Sequence, residues 1–75
     1  MERAYFLDEL ITKYSYDEVY EVYELCVNYY HTVTGDSLSP SSKDSLQNVI
    51  YQRPPLSTIR DTVDTLIDMF NNRDN

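Results

Sequence analysis

Apolar residues recur at helical spacing in four stretches of the chain, which predicts four helices. The first stretch covers about residues 2–13 and the second about residues 15–34. The third, at about 40–52, is short, and the fourth covers about 55–71. Apolar residues three or four positions apart form one face of an amphipathic helix. The pattern therefore predicts an all-α fold, a compact four-helix bundle-like domain with a short third helix.

Local sequence signals place the boundaries of these helices. Ser15 and Glu18 have the spacing of a capping box, which predicts that the second helix begins at Ser15. Gly35 is the only glycine and predicts the end of that helix, because glycine readily adopts the left-handed conformation of a C-cap. Ser39 followed by Pro40 predicts the start of the third helix.

The second predicted helix has an unusually wide apolar face. In a helical projection, one half contains only apolar residues and tyrosines: Tyr29, Val22, Val33, Cys26, Val19, Tyr30, Tyr23, Tyr16, Val27 and Tyr20. The other half includes Glu21, Glu24 and Leu25. An arc of about 180° exceeds the ordinary stripe of a surface helix, so this helix is predicted to be central. Tyr23, Tyr30 and the valines are predicted core residues.

The fourth helix has the most regular apolar stripe in the chain. Its members are Leu56, Ile59, Val63, Leu66, Ile67 and Phe70, and the opposite side carries Asp61, Asp64 and Asp68. This near-heptad spacing is typical of a helix that packs in a bundle or against another helix.

The chain of 75 residues is long enough for one domain, predicted to cover residues 1–75. Its single cysteine, Cys26, has no second cysteine for an internal disulfide and is predicted to be a small buried apolar residue. Asp8 and Glu9 interrupt the apolar N-terminal stretch, unlike in a signal peptide. No run approaches the length of a transmembrane helix. We expect a cytoplasmic protein without a membrane partner.

Charge restricts the class of partner. Thirteen Asp and Glu residues against six Lys and Arg give a net charge of −7, which disfavours direct contact with nucleic-acid phosphates. Residues 14–42 contain no Lys or Arg at all. Asp17, Glu21 and Glu24 are predicted to share one helix face, and Tyr16 and Tyr20 border it. Tyrosine next to carboxylates is a composition found in protein interfaces, so these five residues are the predicted partner-binding site.

The sequence provides little support for catalysis, and we expect that the protein is not an enzyme. Cys26 and His31 lie about 140° apart on the helix, which excludes a local catalytic dyad. The chain has no glycine-rich phosphate loop. No set of His and Cys residues suits structural zinc, and neither a metal nor a cofactor is predicted.

The leading hypothesis is a small non-enzymatic interaction module that inhibits a basic, nucleic-acid-handling protein. It would mimic phosphates, as small inhibitors encoded by phages or mobile elements do, or act as an immunity or antitoxin protein. One alternative is a structural homo-oligomer, such as a homodimer, or a subunit of a larger assembly, with an apolar helix face between chains. Another is a helix-turn-helix-like transcriptional regulator that places the third and fourth helices on DNA.

The segment VIYQRPPLSTIRDTVDTLIDMF, residues 49–70, resembles the short helix, tyrosine, proline and final helix of bacteriocin nuclease-immunity proteins. Members of that family are small acidic four-helix proteins that inhibit a basic nuclease. The resemblance covers about a third of the chain. It departs where the family has paired tyrosines, because Gln52 follows Tyr51 here. The likeness is one of size and charge, and it implies a basic protein partner.

Overall fold

The computed structural model of this protein describes residues 1–73, which form four α-helices. The helices are α1 (Arg3–Ser15), α2 (Val19–Thr34), α3 (Pro40–Tyr51) and α4 (Leu56–Asn71). Within the described residues there is no β-strand. With 12 residues, α3 is the shortest of the four. The predicted all-α, four-helix fold with a short third helix is confirmed.

The two sixteen-residue helices, α2 and α4, form the centre of the bundle. Each of them contacts the other three helices, whereas α1 and α3 do not touch each other. The prediction that α2 is a central helix is therefore confirmed, and α4 has the same role. No helix among the described residues combines the length and apolar character needed to cross a membrane.

The core draws apolar side chains from all four helices and from the α2–α3 loop. Its buried members are Phe6, Leu10, Val22, Leu25, Cys26, Tyr29, Tyr30, Leu38, Leu46, Ile50, Ile59, Val63 and Ile67. Phe6 of α1 stacks on Tyr29 of α2 with ring centroids 4.0 Å apart. Burial raises the pKa of the Cys26 thiol to about 12, so the group stays protonated and apolar. The prediction that Cys26 is a small buried apolar residue is confirmed.

The buried face of α2 differs in detail from the predicted one. Val22 and Tyr30 are buried as predicted, and Tyr23 is half-buried. Leu25 lies in the polar half of the helical projection but is only 7% exposed, because α2 has neighbours on several sides. Val33 lies in the apolar half of the projection but is 46% exposed in the last turn of α2.

The predicted capping box at Ser15 is wrong. Ser15 is the last residue of α1, and its hydroxyl donates a hydrogen bond to the Ile11 carbonyl at 2.7 Å. The N-cap of α2 is Glu18, which makes no side-chain capping hydrogen bond. The cause is a competing signal at the end of α1. The Glu18 N–H binds the Lys13 carbonyl at 3.0 Å, a bond of the Schellman type that ends α1 after Ser15.

The other predicted caps are confirmed. Gly35 adopts a left-handed conformation with φ 74°, and its N–H binds the His31 carbonyl at 2.8 Å. The Ser39 hydroxyl accepts a hydrogen bond from the Ser42 N–H at 3.3 Å, and Pro40 opens α3. These two signals are local, and no neighbouring segment competes with them.

The two serines allow a matched test of capping. Ser39→Ala is expected to lower the free energy of unfolding by about 1 kcal/mol, because it removes a capping acceptor. Ser15→Ala is expected to change it by less than about 0.5 kcal/mol, because Ser15 is helical and alanine is the better helix former. Urea denaturation of both variants measures the difference. A loss at Ser15 as large as at Ser39 would contradict the assigned end of α1.

Candidate functional site

The five predicted site residues lie in two different elements. Tyr16 and Asp17 form the turn between α1 and α2, and Tyr20, Glu21 and Glu24 lie in the first two turns of α2. The prediction that Asp17 shares one helix face with Glu21 and Glu24 is wrong, because α2 begins only at Val19. Asp17 instead has a left-handed backbone conformation, with φ 55°.

Asp17 also has a basic partner that the local sequence does not contain. The Arg53 Nε donates to Asp17 Oδ1 at 2.9 Å, and Arg53 Nη2 lies 3.4 Å from Oδ2. The hydrogen bond to Asp17 raises the pKa of the Arg53 guanidinium. Arg53 follows Asp17 by 36 positions, in the turn between α3 and α4. The negative charge of Asp17 is therefore balanced by an arginine that is distant in sequence but adjacent in the folded chain.

Every arginine in residues 1–73 forms an ion pair with an aspartate. The pairs are Arg3–Asp64, Arg53–Asp17, Arg60–Asp61 and Arg73–Asp36. Lys13 lies 3.9 Å from Glu9. Within the same residues, Glu18, Glu21 and Glu24 have no salt bridge. Uncompensated negative charge therefore remains along the N-terminal half of α2.

Tyr20 lies against one of these carboxylates. A hydrogen bond to the Glu24 carboxylate raises the pKa of the Tyr20 phenol. The Tyr20 ring is 6.3 Å from the Tyr23 ring, and 57% of the residue is exposed. Glu24 itself is half-buried. Its carboxylate is thus held near Tyr20 while the tyrosine ring stays open to a partner.

Tyr16 is 76% exposed, more than any other large apolar residue in the described part of the chain. Tyr51, at the end of α3, is 46% exposed, and its carbonyl accepts a hydrogen bond from Arg53 Nη1 at 3.1 Å.

The sequence alone does not predict Arg53 as part of this region or its contact with Asp17. No local pattern indicates a pair of residues from two different turns.

The remaining candidates for metal binding or catalysis are the acidic residues, His31 and Cys26. Among residues 1–73, no group of three or more His, Cys, Asp or Glu residues is arranged to hold a metal ion. His31 Nδ1 lies 3.3 Å from the Asp36 carbonyl oxygen, at the surface end of α2. The buried Cys26 keeps its proton and lies away from solvent.

Two features of α4 are relevant to the alternative functions, a homo-oligomer and a helix-turn-helix-like regulator. The stripe that a homo-oligomer would place between chains is buried within one chain at Ile59, Val63 and Ile67. On the polar side, Asp64 binds Arg3 of α1 through two hydrogen bonds of 2.8 and 3.0 Å. Both alternatives stay predictions.

One surface thus combines uncompensated carboxylates with exposed aromatic rings. We call it the tyrosine–acid surface, defined by Tyr16, Glu18, Tyr20, Glu21 and Glu24. It begins in the α1–α2 turn, beside the Asp17–Arg53 ion pair, and continues over the first turns of α2. Comparisons of the chain with protein-family models, with curated proteins and with solved structures found no match.

Proposed function

We propose that this protein is a non-enzymatic interaction module that binds a basic protein through the tyrosine–acid surface. One observation carries the proposal. The described arginines are all paired with carboxylates elsewhere, while Glu18, Glu21 and Glu24 have no cation within residues 1–73. Basic side chains of a partner would supply the missing countercharge.

The helix dipole explains only part of this acidic patch. Carboxylates near a helix N-terminus are favourable, which applies to Glu18 and Glu21 at the start of α2. The dipole effect falls off within the first turn, so it does not explain Glu24. Like charges three or four residues apart destabilise a helix by a few tenths of a kcal/mol per pair. The arrangement is thus mildly unfavourable in the free protein and favourable opposite a basic surface.

The tyrosines supply the apolar contact that charge alone lacks. Tyr16 and Tyr20 are 76% and 57% exposed. Tyrosine offers a large, rigid contact area at low cost in conformational entropy, and it is enriched among the residues that dominate binding energy. In this division of roles, the carboxylates raise the association rate and the tyrosines slow dissociation.

The class of partner follows from its required charge. Proteins that handle nucleic acids carry basic surfaces for phosphates, and a chain with net charge −7 would be attracted to such a surface. Occupying it would block the nucleic acid. The proposed role is therefore that of an inhibitor or antagonist, as in proteins encoded by phages or mobile elements.

Charge reversal tests the proposal. The variant E21K/E24K is expected to lose the basic partner, because two carboxylates of the surface become repulsive lysines. The control D44K/D68K reverses two exposed acids on α3 and α4 that have no ion pair within the described residues. Each Asp or Glu to Lys exchange changes the net charge by +2, so both variants move it from −7 to −3.

The measurement has two stages. Wild type and both variants are used as bait in host lysate, and the captured basic protein is identified by mass spectrometry. Its affinity is then measured by calorimetry over a series of salt concentrations. We expect capture by wild type and D44K/D68K, and weak binding with a shallow salt dependence for E21K/E24K. Equal loss in both variants, or loss in neither, would refute the assigned surface.

A further inference from the structure

We infer that Asp17 is an arginine-binding position at the edge of the tyrosine–acid surface, and that Arg53 occupies it in the free protein. Arg53 thus acts as an internal substitute for an arginine of the basic partner, which displaces it on binding. This inference rests on the proposed function and narrows the recognised group from any cation to a guanidinium.

The geometry of the existing contact identifies the chemistry. Arg53 approaches the carboxylate side-on, with Nε donating to Oδ1 at 2.9 Å and Nη2 lying 3.4 Å from Oδ2. This two-point contact uses the planar fork of a guanidinium, which an ammonium group cannot reproduce. Arg53 Nη1 is used elsewhere, on the Tyr51 carbonyl at 3.1 Å. The carboxylate thus binds a guanidinium through one short and one long contact.

The ion pair is also open to competition. The Arg53 and Asp17 side chains are 55% and 65% exposed. Ion pairs at such exposure are weak and screened by salt. Tyr16 precedes Asp17 directly and is the most exposed large apolar residue of the described chain. Asp17 is therefore adjacent in sequence to an aromatic side chain that is open to a partner.

The backbone at Asp17 is held in place by hydrogen bonds that do not involve Arg53. Asp17 adopts φ 55° as the left-handed residue that ends α1, and its N–H binds the Tyr14 carbonyl at 3.0 Å. The following Glu18 N–H binds the Lys13 carbonyl. These backbone bonds fix the turn whether or not the ion pair is present.

Hydrogen bonds other than the ion pair also hold the α3–α4 turn in place. The Tyr14 hydroxyl of α1 donates a hydrogen bond to the Pro54 carbonyl. Arg53 has φ 52°, and its N–H binds the Ile50 carbonyl at 3.0 Å. Since separate bonds hold both turns, the Arg53 side chain can leave Asp17 while the backbone stays in place. The contact is thus suited to exchange with a partner arginine.

An NMR titration of the ¹⁵N-labelled protein with a hexa-arginine peptide tests the exchange directly. The Arg53 Nε–Hε signal reports its hydrogen bond to Asp17. We expect it to move toward the position of a free arginine as the peptide shifts the amide signals of Glu21 and Glu24. The Arg60 Nε–Hε signal should stay in place, because its partner Asp61 lies on α4 outside the surface. A hexa-lysine peptide should move the Arg53 signal less.

Variants provide a second measurement. R53A is expected to bind hexa-arginine about threefold more tightly, because the internal competitor is gone. R60A removes an arginine from a pair of similar exposure and is the matched control, with unchanged affinity expected beyond the small effect of net charge. Adding D17N to R53A should abolish the gain.

Two outcomes separate this inference from the proposed function. If the Glu21 and Glu24 amides shift while the Arg53 side-chain signal stays and R53A binds like R60A, Asp17 is not the arginine position. The proposed function then stands. If the peptide shifts neither glutamate, both fail. Should R53A not fold, the Arg53 signal of the wild type decides alone.

Discussion

Phe6→Ala is expected to lower the free energy of unfolding by about 3–5 kcal/mol, the range found for removal of a buried aromatic ring. Phe6 is fully buried and stacks on Tyr29 with an angle of 4° between the ring planes. The loss combines the transfer of the ring out of water with the cavity left against Tyr29. A domain of this size has a total stability of roughly 4–11 kcal/mol, so this one substitution would remove a large part of that stability.

The neighbouring residue provides the control. Tyr5 also lies in α1 but is 57% exposed, so Tyr5→Ala is expected to cost less than about 0.5 kcal/mol. Urea denaturation monitored by far-UV circular dichroism measures both variants. Similar losses for Phe6→Ala and Tyr5→Ala would mean that α1 does not pack on α2 through the face described.

The stack of Phe6 on Tyr29 also matters for the candidate site. It fixes α1 on α2, and the end of α1 provides the turn that carries Tyr16 and Asp17. Loss of partner binding in Phe6→Ala would therefore reflect a displaced α1 or unfolding, and it would give no information about the surface residues themselves.

The architecture could be predicted because its determinants are local. Helical periodicity is set by residues within a few positions of each other, and it gave four helices in the right order. The caps at Gly35 and Ser39 depend on one residue and its immediate neighbours. A fold composed of such signals can be recognised without any knowledge of how the helices pack.

The α1–α2 turn was predicted wrongly because two local signals compete there. Ser15 and Glu18 fit a capping box, and the same residues fit the end of a helix closed by a left-handed Asp17. The second arrangement leaves Ser15 helical and satisfies two backbone N–H groups, those of Asp17 and Glu18. Spacing alone does not choose between them.

The ion pair at the site could not be predicted for a different reason. Arg53 and Asp17 meet only because the α1–α2 and α3–α4 turns come together in the folded chain. The order of charges along the sequence therefore presents Asp17 as an unpaired acid, although Arg53 pairs with it in the folded chain. Glu18, Glu21 and Glu24 remain without a salt bridge within residues 1–73, so Glu18 takes the place of Asp17 and the acidic surface begins closer to α2 than predicted.

Two substitutions on α2 test whether burial follows helical periodicity alone or depends on the packing of the other helices. Leu25→Glu is expected to destabilise the protein by several kcal/mol, because Leu25 is 7% exposed and a buried carboxylate would have no partner. Val33→Glu is expected to change stability by less than about 1 kcal/mol, since Val33 is 46% exposed. Both variants add one negative charge to the same helix, so net charge is matched. Urea denaturation measures the two free energies.

The helical projection alone predicts the opposite order, because it places Leu25 among the polar residues and Val33 among the apolar ones. The difference arises because α2 packs against α1, α3 and α4, which extends burial beyond the apolar half of the projection. Val33 lies at the end of the helix, one residue before Thr34, where neighbouring helices no longer cover it. Greater loss in Val33→Glu than in Leu25→Glu would therefore contradict the central position of α2, on which the orientation of Tyr20, Glu21 and Glu24 depends.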